Sequence, residues 1–589
     1  MKSLATRVFD LLTPNERKGA LVLLSFMVVG MALETLGIGL LIPVIALMMQ
    51  RDLSARYHGL QPLLEFLGNP TQAQLIIGTM LGLVGIYLVK NLFLAFLAWR
   101  HTRFAFGIQV ELSQRLFTIY LRQPYTFHLQ RNSAQLMRNL TGEVNMFTGA
   151  ITGLVTIISE GLVLIGIATL LMLVEPFGAL ISVLVLGSAA WGFQRSTRSR
   201  LVRWGKVRQH HEGLRIQHLQ QGLGGAKDVK LLGREGDFLA QYHLHHAQSA
   251  RVGELQSTLQ QLPRLWLELL AVGGLALLVF VMLGRGVELT SIVPTLGLFA
   301  AAAFRLMPSV SRVLASVQAV RYAMPVINTL HEELKLAAPE PAIRTTDQGR
   351  RFYREIRLTD VAYSYPGADT PALHGLTLAI KKGESVGFIG SSGSGKSTLV
   401  DVILGLLPPS NGSVLVDGQD IQEQLRTWQD QIGYVPQSIY LTDDTLRRNV
   451  AFGIPDEHID DAAVQRAIRD AQLEEFVGGL PNGVESIVGE RGIRLSGGQR
   501  QRIGIARALY HDPSVLVMDE ATSALDATTE SGVMEAVTAL RGSKTILIVA
   551  HRLTTVGQCD RIYRLESGTV VAEGVPAKML DTSKAAASS

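Results

Sequence analysis

The fold of the C-terminal part of this chain is decided by the stretch SVGFIGSSGSGKST, residues 385–398. An apolar run suited to a buried strand leads into a loop with three glycines, and a helical run begins at Lys396. In this strand–loop–helix context the glycines let backbone N–H groups turn toward a phosphate at a helix N-terminus. The sequence therefore predicts a nucleotide-binding loop formed by Gly390, Ser391, Ser392, Gly393, Ser394, Gly395, Lys396, Ser397 and Thr398.

Two residue types in this loop have distinct chemical roles. Lys396 supplies a positive charge for the β- and γ-phosphates, and the Ser397 hydroxyl is placed to ligate Mg²⁺. A second apolar run, Val515–Met518, ends in the adjacent acids Asp519 and Glu520. Because neighbouring strand residues point in different directions, we expect Asp519 to hold the Mg²⁺ shell and Glu520 to act as general base on the attacking water.

Further motifs follow in an order that resembles the ATP-binding-cassette proteins. The stretch LSGGQ, residues 495–499, looks like the signature sequence of that family, and YVPQ ends in Gln437. The resemblance implies that Tyr365 stacks on adenine, that Gln437 senses Mg²⁺, and that Asp526 and His551 complete the site. In particular, His551 matches the switch histidine that contacts the γ-phosphate.

The signature has a consequence for assembly. Its residues stand at the start of a helical run, where backbone N–H groups can meet an anion. The resemblance implies that this surface closes on ATP held by a second chain. One phosphate loop and one signature in each chain therefore imply two chains, and we expect a homodimer whose signature contacts are Ser496, Gly497, Gly498 and Gln499. Pairing with a partner chain that has a degenerate site is the alternative.

The N-terminal part has the composition of a membrane domain. Hydrophobic residues make up 47% of the whole chain and charged residues 18%, with a mean hydropathy of +0.24. Apolar runs of about 20 residues span a bilayer. We expect six spans, within Gly19–Gln50, Gln72–Trp99, Val144–Val174, Phe177–Gln194, Leu265–Gly284 and Leu289–Arg305.

Loop charge predicts the orientation of these spans. The segment Arg195–Glu235 is strongly basic, and lysine and arginine accumulate on the cytoplasmic side. Both termini and the cassette are therefore expected in the cytoplasm. Arg100–Glu143 and Arg195–Leu262 show helical periodicity, which predicts helices that continue beyond the bilayer. By resemblance, the turns near Pro124–Gln130 and Gly225–Glu235 are candidates for docking on the cassettes; their composition is equally compatible with simple helix–helix connections.

These features define the expected architecture: a membrane α-helical domain with six transmembrane helices, of the ATP-binding-cassette exporter type, followed by an α/β P-loop nucleotide-binding domain. The predicted boundaries are 1–335 for the membrane domain, 336–350 for a linker, 351–580 for the cassette and 581–589 for a disordered tail. A single cysteine, Cys559, excludes intramolecular disulfides and cysteine-based zinc modules. A net charge of +5 gives no argument for a nucleic-acid partner.

Three cations inside the spans are candidates for substrate contact. A charge at the bilayer centre costs about 2.5–3.5 kcal/mol on insertion scales, so its presence calls for a reason. If Lys90, Arg264 and Arg305 face a central cavity, they would suit a diphosphate or another anionic headgroup. The alternative is that each reaches the interface or pairs with an acid, of which Glu34, Glu160 and Glu268 lie near.

Several stretches resemble the lipid-linked oligosaccharide flippases within these exporters. They include ETLGIGLLIPVIALMM from Glu34, FRLMPS around Arg305 and LPRLWLE around Arg264. The resemblance implies a bacterial inner-membrane flippase that uses ATP and Mg²⁺ to move a polyprenyl-diphosphate-linked oligosaccharide. Two alternatives stay open: a drug or lipid exporter of the same architecture, and an ATP-gated channel or regulator.

Overall fold

The computed structural model describes residues 4–40, 72–174, 176–284, 289–336, 352–489, 492–522, 527–550 and 552–579. The chain divides into two compact units. The first comprises Met1–Gln123 and Gln130–Pro339, and the second Pro124–Leu129 and Glu340–Ser589. The predicted linker 336–350 and tail 581–589 lie almost wholly outside the described residues, so those boundaries stay predictions.

The first unit is helical throughout its described part. A π-helical turn, Asn139–Glu143, separates two of its helices. The helices are α1 (Leu4–Leu11), α2 (Pro14–Gly39), α3 (Gln72–Arg122), α4 (Tyr125–Gln130), α5 (Ser133–Arg138), α6 (Val144–Val174), α7 (Pro176–Gly224), α8 (Ala226–Leu232), α9 (Glu235–Gly284), α10 (Leu289–Tyr322) and α11 (Met324–Glu333); α4 is the short helix that groups with the second unit.

The long helices extend well past a bilayer. Helices α3, α7 and α9 have 51, 49 and 50 residues. At about 1.5 Å per residue each is about 75 Å long, more than twice the hydrocarbon thickness. The predicted helical extensions are therefore confirmed. The break between α3 and α4 falls at Gln123–Pro124, where proline cannot continue the hydrogen-bond ladder.

The apolar surface of this unit suits a lipid environment. Within the described residues, three helical stretches are long and apolar enough to cross a membrane: Pro14–Gly39, Ile76–Arg122 and Ser133–Leu173. The other predicted spans fall on α7, α9 and α10. Large apolar side chains point outward, with Leu173 80% and Phe304 83% exposed. In water such a surface would be unfavourable, whereas hydrocarbon accepts it.

The second unit contains two sheets. Its described helices are α12 (Lys396–Ile403), α13 (Leu425–Gln429), α14 (Leu446–Val450), α15 (Asp461–Asp470), α16 (Glu474–Gly478), α17 (Gly497–Leu509), α18 (Ala527–Thr538) and α19 (Leu553–Val556), with 3₁₀ turns at Asp456–His458 and Gly483–Glu485. The strands are β1 (Glu355–Tyr363), β2 (Leu373–Lys381), β3 (Ser385–Ile389), β4 (Asn411–Val416), β5 (Gln419–Asp420), β6 (Ile432–Val435), β7 (Val515–Asp519), β8 (Thr545–Val549), β9 (Arg561–Glu566) and β10 (Thr569–Gly574).

Sheet topology brings the predicted motifs to one edge. One sheet is antiparallel with the order β2-β1-β4-β5, and the other has the order β10-β9-β3-β8-β7-β6. In the second sheet the pairs β3–β9, β3–β8, β8–β7 and β7–β6 are parallel. The carboxyl ends of β3, β6 and β7 therefore lie at the same edge, where ligands bind in open α/β sheets. The motifs that follow these strands meet there.

Candidate nucleotide-binding site

The phosphate loop begins where a fully buried strand ends. Every residue of β3 is buried, and the strand pairs in parallel with β8 and β9. Gly395 has φ 96°, and a Cβ atom there would lie 2.8 Å from the carbonyl oxygen of Ala372. Glycine is required at this position for both reasons, because the conformation is left-handed and the space is filled. The tight turn places the N-terminus of α12 at the edge of the sheet.

Lys396 is held over the loop that precedes it. Its Nζ donates hydrogen bonds to the carbonyl oxygens of Gly390, at 3.0 Å, and Ser391, at 2.8 Å. Burial lowers the pKa of Lys396, while the charges of Glu520 and Asp519 act to raise it. The ammonium group is therefore poorly hydrated and has two acidic neighbours, which suits a charge that must bind phosphate at short range.

The carboxylate of Asp519 lies at the end of β7, opposite Val549 of β8. Burial raises its pKa, the neighbouring Glu520 charge raises it further, and Lys396 opposes both effects. Its Oδ1 is buried and has no hydrogen-bond partner among the residues that the structure describes. A buried oxygen without a partner is costly unless something else binds it.

Glu520 is held in an unusual backbone conformation. Its φ is 46°, which is uncommon outside glycine and costs about 1–3 kcal/mol. The Glu520 amide donates to the Val549 carbonyl oxygen at 3.0 Å, and its Oε2 accepts from Nε2 of Gln437 at 2.8 Å. Strain of this kind concentrates at functional sites. The structure thus brings the predicted base and the predicted sensor glutamine into direct contact.

A magnesium ion fits the oxygens gathered at this edge. Asp519 offers a carboxylate oxygen that lacks a partner, Ser397 a hydroxyl group, and Gln437 an amide oxygen while its nitrogen binds Glu520. Within the described ranges, no group of three His, Cys, Asp or Glu residues could hold a metal by itself. Phosphate oxygens and water would therefore complete the shell, as is usual for Mg²⁺.

The predicted adenine contact lies beside the phosphate helix. The Tyr365 hydroxyl is 3.1 Å from the hydroxyl oxygen of Thr398, and the ring meets Tyr363 edge-to-face with centroids 5.1 Å apart. These contacts connect the aromatic side chain to the phosphate loop through Thr398, the last residue of the predicted motif.

The signature sequence caps a helix as expected. Ser496 is the N-cap of α17, where its Oγ accepts from the Gln499 amide at 3.2 Å and its own amide donates to Gln499 Oε1 at 2.8 Å. This reciprocal pair fixes the helix start. An open groove of about 620 Å³ adjoins it, lined in part by Ser496, Gly498 and Gln499. The signature is thus presented on a surface. The other two predicted site residues, Asp526 and His551, lie outside the described residues.

Comparison with known proteins agrees with this geometry. The family model described as "ABC transporter" matches residues 373–523, and "ABC transporter transmembrane region" matches residues 20–260. The chain is 32% identical to an "ATP-dependent lipid A-core flippase" of Alkalilimnicola ehrlichii over 491 residues, a stretch that covers 80% of each protein. The chain belongs to the ATP-binding-cassette (ABC) transporter family. The transporter couples ATP hydrolysis to movement of a substrate across a membrane.

Two further likenesses extend over most of the transporter. A flippase of the same name from Chromobacterium violaceum is 30% identical over 87% of this chain and 88% of its own length. A solved structure of a bacterial Atm1-family ABC exporter with ATP bound has a TM-score of 0.77, with 22% sequence identity and 96% of each chain covered. The predicted exporter fold is therefore confirmed.

The three predicted membrane cations of the transporter differ in their surroundings. Lys90 is buried, with Nζ 3.5 Å from Glu34 Oε2 and 4.1 Å from the ring centroid of Tyr87. Arg264 is exposed, and its Nε lies 3.0 Å from Glu268 Oε1. The backbone of Arg305 belongs to α10, while its side chain lies outside what the structure describes. For Lys90 and Arg264 the structure favours pairing with an acid.

Two residues of the transporter were missed by sequence reasoning. Burial raises the pKa of Asp401 to about 6, and the nearby Asp519 charge adds to that effect. The sequence feature that could have revealed Asp401 is an acid one turn after Ser397 in an otherwise apolar helical run.

Arg312 binds Glu160, with Nε and Oε1 2.7 Å apart. Arg312 lies two turns after Arg305 on the same helix, and this spacing could have identified it from the sequence.

Proposed function

We propose that two copies of this chain form an ATP-driven flippase that moves a lipid with an anionic headgroup across a bacterial inner membrane. The observation that carries the proposal is the 32% identity to a lipid A-core flippase over four-fifths of both chains. The resemblance of several membrane stretches to lipid-linked oligosaccharide flippases points to the same class of substrate. Both lines of support agree on a lipid rather than a soluble compound.

Hydrolysis in this proposal follows from the site geometry. Lys396 binds the terminal phosphates, and Glu520 accepts a proton from the attacking water. The Gln437 amide orients the Glu520 carboxylate through their 2.8 Å hydrogen bond. Asp519, Ser397 and Gln437 would hold a Mg²⁺ ion, which would supply positive charge to neutralise the phosphates. Family resemblance assigns His551 to the γ-phosphate contact and Asp526 to the D-loop, residues 523–526.

Dimerisation is supported by the complementary surfaces within each chain. The capped start of α17 presents backbone N–H groups, and the phosphate loop presents a bound nucleotide's phosphates. In our proposal each site combines the loop of one chain with Ser496, Gly497, Gly498 and Gln499 of its partner. Both sites of the homodimer are competent for hydrolysis.

Orientation in the membrane is inferred from charge. The helical extension after the apolar run of α7 carries many arginines and few acids, as cytoplasmic segments do. We place both termini and the cassette in the cytoplasm. The headgroup then enters from the cytoplasmic leaflet.

The substrate's headgroup is the finer part of the proposal. A polyprenyl-diphosphate-linked oligosaccharide is the candidate from sequence. Arg305 remains a candidate for contact with its diphosphate, as does Arg264, whose pair with Glu268 is exposed and can open to a ligand. Lys90 is better explained by its buried pair with Glu34. The name of the relatives favours lipid A-core as a second candidate.

Substrate-stimulated hydrolysis in reconstituted vesicles tests the choice. Purified protein is given a polyprenyl-diphosphate oligosaccharide, lipid A-core, or an uncharged lipid of matched chain length. We expect one of the two anionic glycan lipids to raise ATP hydrolysis and to appear in the opposite leaflet. Stimulation by unrelated hydrophobic drugs, with neither lipid moved, would replace the flippase proposal by a drug exporter.

A further inference from the structure

Glu530 is a buried carboxylate in the second unit. It lies in the first turn of α18 and is 9% exposed. Its Oε1 accepts hydrogen bonds from the hydroxyl groups of Thr555, at 2.7 Å, and Thr522, at 3.2 Å. Its Oε2 accepts from Nη1 of Arg552 at 2.6 Å. The two oxygens of one side chain therefore bind residues from two other segments of the chain.

The segments joined by this carboxylate are those that follow β7 and β8. Thr522 stands two residues after Glu520, just beyond the end of β7. Arg552 and Thr555 follow β8, and Arg552 comes directly after His551 in the sequence. Since β7 and β8 are parallel neighbours, both segments leave the sheet at the edge where the phosphate loop begins.

The partners of Glu530 favour its ionised form. Burial acts to raise the pKa of Glu530, but the hydrogen bonds from Thr555, Arg552 and Thr522 together lower that pKa below its ordinary value. Hydrogen bonds to a charged acceptor are shorter and stronger than those between neutral groups. Thr522 and Thr555 are 5% and 4% exposed, so removal of the carboxylate would leave two buried hydroxyl groups without this acceptor.

Glu520 needs such support because its backbone is strained. A φ of 46° at a residue other than glycine persists only where the surrounding structure over-determines it. The hydrogen bond from the Glu520 amide to the Val549 carbonyl oxygen, at 3.0 Å, connects this residue directly to β8. Two residues later, the bond from Thr522 to Glu530 fixes the same segment a second time. The two contacts together restrain the backbone that carries the Glu520 side chain.

We propose that Glu530 is a positioning residue for ATP hydrolysis, which holds the segments after β7 and β8 together so that the Glu520 carboxylate meets the attacking water. This inference rests on the proposed role of Glu520 as general base. Glu530 acts through Thr522 and Thr555, whereas the phosphate loop binds the nucleotide. Loss of Glu530 should therefore lower turnover and leave the affinity for ATP unchanged.

Steady-state hydrolysis by the full-length protein in vesicles measures this role. Glu530→Ala should lower kcat by about ten- to hundredfold, the range of a small misplacement of a catalytic group, and should change KM for ATP by less than about twofold. Thr555→Val removes a hydroxyl group at nearly constant shape and should also lower kcat. Thr555→Ser keeps the hydroxyl group and should retain most of the turnover. Adding Thr555→Val to Glu530→Ala should lower kcat no further, because residues that act as a unit are not additive.

Glu384→Ala is the matched control. Glu384 is also a largely buried carboxylate bound to an arginine, since its Oε1 and Oε2 lie 2.7 Å from Nε and 2.6 Å from Nη2 of Arg561. Glu384 precedes β3, so it stands at the opposite edge of the sheet from the phosphate loop. The control should lower the melting temperature as Glu530→Ala does, but it should keep the wild-type kcat.

Unchanged kcat in folded Glu530→Ala would overturn the proposal. If that variant does not fold, unchanged kcat in Thr555→Val would do the same. An equal loss of kcat in Glu384→Ala would replace positioning by general destabilisation, and a raised KM with unchanged kcat would replace it by nucleotide binding. Glu520→Gln separates this proposal from the assignment of the base. Full turnover in Glu520→Gln would remove the base itself, whereas lost turnover there with unchanged kcat in Glu530→Ala would remove the positioning role alone.

Discussion

Removing one partner of the buried Lys90–Glu34 pair should destabilise the membrane unit strongly. The two side chains are 9% and 6% exposed, and their charged atoms are 3.5 Å apart. At an effective dielectric constant of about 20, their attraction is about 5 kcal/mol. Most of this attraction offsets the cost of burying both charges. Removing one partner therefore lowers the free energy of unfolding by about 3–5 kcal/mol, whereas replacing both partners is nearly neutral. Lys90→Met also loses the contact with Tyr87, worth about 1 kcal/mol.

Thermal melting of the full chain in nanodiscs would measure these differences. Lys90→Met and Glu34→Gln should each lower the melting temperature, and the double variant should recover most of the loss. Because we assign Lys90 a structural role, the double variant should also flip lipid at nearly the wild-type rate. A stable Lys90→Met protein would refute the energetic argument. A stable double variant that hydrolyses ATP but moves no lipid would return Lys90 to the substrate path.

Four further outcomes are expected. Glu520→Gln should bind ATP but lose about 10²–10⁴ in turnover, measured by phosphate release, since the amide keeps the Gln437 contact but cannot accept a proton; wild-type turnover would contradict the role of the base. Mixing Lys396→Ala chains with Ser496→Arg chains should restore part of the hydrolysis that each variant lacks alone, whereas full activity in isolated monomers would exclude shared sites. Chelation of Mg²⁺ should stop hydrolysis, and Asp519→Asn should raise the Mg²⁺ concentration needed for half-maximal activity; an unchanged requirement would remove Asp519 from the metal site. Cys559 is buried, and burial raises the pKa of its thiol to about 11. Maleimide should therefore label Cys559 at pH 7.5 only after denaturation. Rapid labelling of the folded chain would show that the surroundings of Cys559 open.

The nucleotide loop was predictable because its chemistry depends on local backbone geometry. Glycines at 393 and 395 with φ 78° and 96°, and a helix that starts at Lys396, follow directly from the order of residues. The capping pair of Ser496 and Gln499 is likewise local. The membrane helices were also predictable from local sequence, because the length and apolar composition of a single run indicate whether it can span a bilayer.

Contacts between distant segments were beyond sequence reasoning. Glu34 and Lys90 are 56 positions apart, and Glu160 and Arg312 are 152 apart, so their pairing depends on how helices pack. The Gln437–Glu520 hydrogen bond similarly requires β6 and β7 to be neighbours. The sequence offered Glu34 as an acid near Lys90 but could not show that the two side chains meet, so a substrate contact and an ion pair both stayed open.

The most direct test of the central claim is ATP-dependent transfer of a glycan-bearing lipid in vesicles reconstituted with the purified chain. Glycan exposure on each side is read by a membrane-impermeant enzyme that cleaves only accessible sugar. We predict that added ATP and Mg²⁺ change the accessible fraction with wild-type protein and leave it unchanged with Glu520→Gln. Equal transfer in the two proteins, or wild-type hydrolysis without any transfer, would contradict an ATP-driven flippase.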